Sequence, residues 1–429
     1  MSEKSLPSHE SIALGREIVV ARQPIMNRAQ TVFAYALLYR RVASNCAIEA
    51  DQAGEENGTA AQFFPQLTES VLQSLTGDAI GFIRIDQSVL FDHCVESLPA
   101  AQVIFQISAT IDATPALILR LQGLVRAGYT FALADVKAIT EQMAALLPCI
   151  EIIEVDINAV AGNALSDLIR QIKTVGKKIA ANHVQSIEQF QFCAGQGVDY
   201  FQGYYFAEPV FLSGKKISPT ELAILQLMKL IEVDADHPQL ERCIKHDASI
   251  GLNLLRMVNT PAAGGHQRIS SLTQAILILG RSHLQRWLQI LLYAKPDKNQ
   301  PQPSPLLLLA TTRGKLIELM VHKLKPGNRS VADTGFTVGI MSLMDALFGV
   351  PMEEILLQIA VTDEVSSALL RRKGLLGDML SLVEQFEKMD ASGSLPLPLL
   401  GQLRLSMEDL YMMQMTAFDW VNKMPRTGA

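Results

Sequence analysis

Residues 17–40 read EIVVARQPIMNRAQTVFAYALLYR. This stretch holds two β-rich apolar runs, Glu17–Val20 and Thr31–Leu38. The segment between them, about ten residues that include Asn27 and Arg28, is too short for a helical crossover, so the two runs are predicted to pair as an antiparallel hairpin. Moving outward, further short runs occur at Ala79–Ile85, Val103–Ile107, Phe131–Asp135, Ile150–Val155, Lys178–Ala181 and Asp199–Tyr204. Helical patterns lie between most of them, at Ala60–Leu75, Pro115–Arg126, Thr140–Leu147, Ala159–Val175 and Ile187–Ala194. Gly128 and Gly176 stand where helices are expected to end. Strands alternating with helices predict an α/β fold with a mostly parallel sheet. Eight such runs in roughly 200 residues predict a closed barrel rather than an open sheet. No phosphate-binding glycine fingerprint follows the first run, which argues against a dinucleotide-binding open sheet.

Beyond Gly214 the β-rich runs stop. Pro219, Thr220 and Glu221 open a stretch in which Leu222, Leu225, Met228 and Leu230 recur at helical spacing. Helical patterns continue at Gln239–Lys245, Ile250–Val258, Ser271–Leu279, His283–Tyr293, Leu306–Leu324, Asp333–Phe348, Met352–Leu356, Glu364–Arg371, Met379–Lys388 and Met407–Val421. Many of these faces are apolar nearly all round, as in a compact all-α domain. Pro296–Pro305 and Ser392–Pro398 are predicted loops. The expected division is a tail at 1–16, a barrel at 17–213 and a helical domain at 214–429. No internal repeat is visible.

The chain has 429 residues, too many for one ordinary core. Its 37 Lys and Arg against 43 Asp and Glu leave a net charge of −6, and no basic stripe marks a nucleic-acid surface. Hydrophobic residues make up 49%, which excludes a disordered chain. The purest apolar run, Leu306–Ala310, stops at Thr311 and falls far short of the roughly 20 residues of a spanning helix. Met1–Arg16 has no apolar core of signal-peptide length. Cys46, Cys94, Cys149, Cys193 and Cys243 are scattered and form no C-x-x-C pair, which suits reduced thiols in the cytoplasm and offers no zinc site. A charged fraction of only 19% and 16 Met suit apolar contact surfaces. The expected partners are therefore proteins or a second copy of the chain, with neither nucleic acid nor membrane among them.

Arg22-Gln23-Pro24-Ile25, followed by Tyr35-Ala36-Leu37-Leu38-Tyr39-Arg40, resembles the start of an EAL domain. Ala132-Leu133-Ala134-Asp135, Glu154-Val155-Asp156 and Gln202-Gly203-Tyr204-Tyr205-Phe206 are similar to its later landmarks. The resemblance covers Glu17 to Phe211 and implies an atypical (β/α)8 barrel with an antiparallel second strand, whose active members hydrolyse cyclic di-GMP. The second half resembles the HDOD module, a helical relative of HD phosphohydrolases that lacks their metal ligands. The matching stretches are Leu254–Thr260, Ile269–Leu272, Ala275–Gly280 and Phe336–Leu347. Together they resemble bacterial EAL–HDOD proteins, which are implicated in signalling.

The resemblance also locates the family's divalent-metal site, where metal activates water and offsets phosphate charge. It puts Ala36 at the motif Glu, Arg84 at the Asn of the next strand, and Gln106 at the following acid, with Ala109 nearby. Ala134 replaces the first paired aspartate and leaves Asp135. Glu154 replaces the family's Lys, two residues before Asp156, and Asn182 and Gln185 replace two late acids. Hard dications prefer several anionic oxygens, and Arg84 adds an opposing charge. The expectation is accordingly no catalytic residue, no metal, no cofactor and no phosphodiesterase activity. Arg84 and Glu154 are expected to form an internal salt bridge. The protein would then be a regulator or scaffold that works by protein–protein contact, with the HDOD half as output and cyclic di-GMP left out of the partners. A second reading keeps cyclic di-GMP, or a related nucleotide, as a ligand bound without cleavage. Its contacts would be Gln23, Arg40, Arg84 and Gln202, with the Arg84 fork on a phosphate. His246-Asp247 imitates an HD doublet, but Asp247 is expected to cap a helix. Trp287 is expected in a core, and the Met-rich stretch from Leu410 to Trp420 either on its own domain or on a partner.

Overall fold

The computed structural model describes residues 18–41, 63–160, 162–209, 217–259, 269, 271–293, 303–359, 361–388 and 397–424. The predicted tail at 1–16, Cys46, and most of the predicted loops at 296–305 and 392–398 lie outside the described residues. The chain divides into two compact units, Met1–Glu208 with Glu384–Pro425, and Pro209–Val383 with Arg426–Ala429.

The first unit is a closed eight-stranded barrel: β1 (Ile18–Asn27), β2 (Val32–Arg41), β3 (Ile80–Arg84), β4 (Val103–Ser108), β5 (Thr130–Ala134), β6 (Ile152–Asp156), β7 (Lys178–Asn182) and β8 (Tyr200–Gln202). β1 and β2 form the predicted hairpin, with Gln23 opposite Ala36. β1 is antiparallel to β8 as well, so the strand that opposes the other seven is the first. The remaining pairs are parallel. Helices α1 (Glu69–Thr76), α2 (Pro115–Arg126), α3 (Gly162–Thr174) and α4 (Ile187–Gln196) lie between strands. α1 begins later than the pattern at Ala60–Leu75 suggested, because Pro65 sits in a separate short turn and Thr68 caps a new start by accepting from the Val71 amide.

Side chains alternate across each strand, so one set faces the helices and the other faces the barrel axis. The outer set, with Phe105 and Phe131 among it, packs with Leu117 and Leu121 of α2 and Ile169 of α3 to form the larger core. The inner set forms an apolar plug of Ile25, Ala34, Ala36, Phe82, Ile104, Ala132, Ile152 and Ala180, with Tyr200 packed against it. Small and large residues alternate in neighbouring strands, as Ala36 opposite Phe82 and Ala132 opposite Ile152 show.

The second unit has helices and no strand among its described residues. It contains α5 (Pro219–Glu232), α6 (Ala248–Val258), α7 (Leu272–Tyr293), α8 (Pro305–Leu324) and α9 (Arg329–Met341), among further helices. Ser218 and Glu221 form a capping box at the start of α5. α7 joins two predicted helices across a kink at Gly280, whose φ of 71° and ψ of 166° are not helical. Glu318 on α8 is buried, which by itself raises its pKa, yet Lys315 at 2.9 Å and Arg286 at 2.6 Å hold it below the ordinary carboxyl range. One stretch, Arg329–Phe348, is long and apolar enough to cross a membrane by length and composition, contrary to the expectation that none would be. Its window is 67% buried, because Phe336, Val338, Ile340, Met341 and Met344 fill the unit's core.

The last helix, α10 (Met407–Asn422), joins the barrel unit instead of the helical one. Tyr411, Met415 and Phe418 belong to the barrel's outer core. The expectation of a helical domain running from 214 to 429 differs here, since a helix that is apolar nearly all round does not specify which core it enters.

Candidate functional site

The polar residues singled out in the first half are brought together by strand period. Two residues beyond the plug layer on β3 to β8 come Arg84, Gln106, Ala134, Glu154, Asn182 and Gln202. On β1, which runs the other way, Gln23 precedes Ile25 by two. The barrel mouth is thus one pleat step above its apolar plug. Ala36 lies in the plug itself. Gln185 is exposed in the turn after β7, where its backbone N–H donates to Gln189 Oε1 at 2.7 Å. Arg40 lies in β2 opposite Val19, and its side chain is outside the described residues.

Glu154 is 1% exposed. Gln106 Nε2 donates to both of its carboxylate oxygens, at 2.8 and 2.9 Å, by reaching across Ala134 on the intervening strand. Asn182 Nδ2 donates to Oε2 at 2.9 Å. Burial pushes the Glu154 pKa up; the amides of Asn182 and Gln106 pull the other way, and Asp135 adds to the rise. The internal ion pair expected between Arg84 and Glu154 forms differently. Arg84 Nη2 meets Asp135 Oδ2 at 2.6 Å, and Glu154 is held by neutral amides. The Arg84 and Asp135 side chains are 36% and 49% exposed, so this pair contributes about 0–1 kcal/mol.

The surroundings contain groups the sequence reading did not single out for the site. Tyr39 donates its hydroxyl to the Arg84 carbonyl and stacks on Phe63 at 4.4 Å. His183 Nδ1 lies 3.2 Å from Asp156 Oδ2. Both Asp135, at φ 62°, and His183, at φ 61°, adopt left-handed backbone at strand ends. Such conformations cost about 1 kcal/mol or more and concentrate at functional sites. No local spacing rule marks His183, because its partner lies on another strand. Gln202 Nε2 donates to Gln23 Oε1 at 2.8 Å. Two acceptors in this group, Asn182 Oδ1 and Gln202 Oε1, are buried without a partner.

The EAL domain family matches residues 10–209, and the HDOD domain family matches residues 218–300. The chain thus carries an EAL domain followed by an HDOD domain. Among its relatives, uncharacterized protein YuxH of Bacillus subtilis (strain 168) is 28% identical over 417 residues, covering 95% of this chain and 98% of that protein. Cyclic di-GMP phosphodiesterase CdgJ of Vibrio cholerae serotype O1 is 28% identical over 382 residues, covering 87% of this chain and 86% of that protein. Among solved structures, the PaMucR phosphodiesterase c-di-GMP complex aligns with a TM-score of 0.38 and 18% identity, over 46% of this chain and 92% of that one. The name of the Vibrio relative overturns the expectation that this EAL–HDOD protein is no enzyme. The missing acids describe the ligands at this mouth and do not decide activity.

Those ligands do not fit the divalent-metal set that the EAL family implies. Asp135 and Asp156 each face a basic side chain, Glu154 is enclosed by two amide donors, and the remaining unpartnered oxygens are neutral. Among the described residues, no three of His, Cys, Asp and Glu gather as a metal site. In the helical half of the EAL–HDOD protein, Asp247 caps α6, accepting from the Ser249 amide at 2.9 Å and the Ser249 hydroxyl at 2.5 Å.

The Glu154 clamp has a testable pH signature. A buried carboxyl whose folded pKa is raised favours the folded state while it is protonated. Stability is then lost as pH rises from the ordinary glutamate value, about 4.3, through the raised value. Glu154→Gln removes that slope. Its new amide finds an acceptor if Asn182 turns Oδ1 toward it, since amide orientation follows the hydrogen-bond network. Thermal unfolding should show Glu154→Gln about 1 kcal/mol more stable than wild type at neutral pH, with the gap closing near the ordinary glutamate value. A constant gap at every pH would contradict the assignment.

Proposed function

We propose that the barrel mouth takes cyclic di-GMP and that the helical half passes its state to a protein partner. The observation that carries this reading is Arg84, a half-exposed guanidinium paired with Asp135 on the strand-end layer where the family's metal-binding residues would stand. Leaving Asp135 costs Arg84 little, because the pair is exposed. The planar guanidinium fork suits two oxygens of a phosphodiester. The partnerless acceptors Asn182 Oδ1 and Gln202 Oε1 suit N–H donors such as those on a guanine edge. The name of the Vibrio relative supports the same ligand. This reading takes up the ligand of the second sequence expectation without its restriction to binding, and drops the expectation that left cyclic di-GMP out.

Isothermal calorimetry on the full chain, with and without Mg²⁺, tests it. Arg84→Ala should weaken cyclic di-GMP binding about tenfold to a hundredfold, the worth of one charge-assisted hydrogen bond to phosphate. Binding that is absent in wild type, or equal in Arg84→Ala, removes the proposal. Hydrolysis is a second reading, favoured by the relative's name; chromatography of the same mixtures for the linear dinucleotide reads it directly. Capture of partners by the full chain should change when cyclic di-GMP is added.

A further inference from the structure

Arg22 and Gln23 are neighbours on β1, so their side chains leave opposite faces of the strand. Gln23 faces the mouth, where it accepts from Gln202. Arg22 faces outward, with its guanidinium 3.9 Å from the Phe418 ring centre and 4.5 Å from that of Tyr35. Its Nη1 donates to Leu75 O at 2.6 Å and to Asn422 Oδ1 at 3.3 Å. Asn422 Nδ2 in turn donates to Ser74 O at 3.0 Å. Leu75 and Ser74 lie in the last turn of α1, where carbonyls lack intrahelical partners and the helix dipole favours a cation. Gly77, just past α1 at φ 61°, lets Asn422 approach: a Cβ there would stand 3.0 Å from Asn422 Cγ. Arg22 and Asn422 therefore seat α10 on the end of α1, while Tyr411, Met415 and Phe418 supply apolar contact.

The seat is also costly. Burial strips water from Arg22 and pushes its pKa down, with Tyr35 and Tyr204 opposing. Tyr411 Oη and Gln414 Oε1, three residues apart on α10, are buried without partners. Each such group costs about 1–3 kcal/mol. These unpaired groups offset part of what the apolar contact and the Arg22 seat contribute. The chain leaves the barrel unit at Glu208 and returns to it at Glu384, so α10 follows the helical unit in sequence while packing with the barrel.

We propose that α10 is a releasable latch on the barrel, whose hold is set by what occupies the mouth and is transmitted along β1 from Gln23 to Arg22. The choice of cyclic di-GMP as the controlling ligand rests on the function proposed above.

Hydrogen exchange on the full chain tests both parts. Arg22→Met should lower protection of amides 407–422 about tenfold without ligand, while β4, β5 and β6 keep theirs. Phe418→Leu, a milder change, should act in the same direction. Unchanged protection at 407–422 in both variants overturns the latch. In wild type, saturating cyclic di-GMP should lower protection at 407–422 about tenfold, and Gln23→Ala should remove that response. Calorimetric binding with no change at 407–422 overturns the coupling but leaves the proposed function standing. Absence of binding overturns the proposed function and the ligand control together, and the Arg22→Met result still decides the latch.

Discussion

Gly203→Ala is expected to stop the barrel from closing, at a cost of about 4 kcal/mol or more. Gly203 has φ 150°, and a Cβ there would lie 1.9 Å from Val184 O, 2.7 Å from Val184 C and 2.9 Å from Val184 N. All three atoms are backbone, so no side-chain rotation relieves the overlap. Val184 cannot retreat cheaply either, because its N–H donates to Gln202 O at 2.9 Å in the contact that joins the turn after β7 to β8. β8 contributes only three residues and pairs with both β7 and β1, so displacing it opens the ring. Gln202 moves with it, and cyclic di-GMP binding should fall together with stability. Gly176→Ala is the comparison. It also has positive φ, at 70°, but nothing lies within 4 Å of the added carbon. It should cost only the left-handed backbone term of about 1–2 kcal/mol. Denaturant titration of the full chain measures both, and equal midpoints for Gly203→Ala and wild type would contradict this packing.

In the helical unit the largest expected effect is Gly339→Ala, at about 3 kcal/mol. A Cβ at Gly339 would stand 2.4 Å from Gly314 N, 2.5 Å from Gly314 Cα and 2.6 Å from Arg313 C. The helices α8 and α9 thus touch backbone to backbone at this crossing. Gly314 is less constrained: its Cβ would meet Phe336 O at 3.0 Å and two side-chain atoms at 3.1 Å. Gly314→Ala should therefore cost about 1 kcal/mol, a few tenths of an ångström of give. The neighbours explain why α9 cannot slide away. Arg313 Nη1 donates to Ser342 Oγ at 2.9 Å, and Tyr293 donates to Ile340 O at 2.6 Å. Denaturant titration, or hydrogen exchange on the amides of 305–341, should rank Gly339→Ala well below Gly314→Ala. The reverse order would sink the crossing as described.

The elements themselves were largely legible because periodicity is local. Alternation at Val103–Ser108 or Ile152–Asp156 needs no knowledge of the partner strand, and neither does the shortness of the connection inside residues 17–40. The polar residues of the mouth were singled out by the family resemblance and not by this alternation, although a period of two explains why every second side chain shares one face. What it did not carry was the pairing within that face. The charge of Glu154 suggested Arg84 as its partner, yet Arg84 pairs with Asp135, and Gln106 reaches Glu154 only because Ala134 between them is small. Nor did it reveal that His183 meets Asp156, a contact between residues at the ends of neighbouring strands. The replacement of acids at Ala36, Gln106, Ala134, Asn182 and Gln185 is plain in the sequence, but it does not by itself decide whether the mouth is active.

Strand period, helix period, glycine and proline placement and a short hairpin connection by themselves determined a barrel followed by a helical module, because each depends on backbone geometry over a few residues. Only the tertiary structure decided that β1 opposes the other seven strands, that the mouth joins an exposed ion pair to a buried carboxyl clamp, and that α10 returns to the barrel. Those outcomes depend on which surfaces meet after folding. A helix that is apolar nearly all round, or a carboxylate with several possible donors, specifies a need for burial or pairing and leaves the partner to the three-dimensional arrangement.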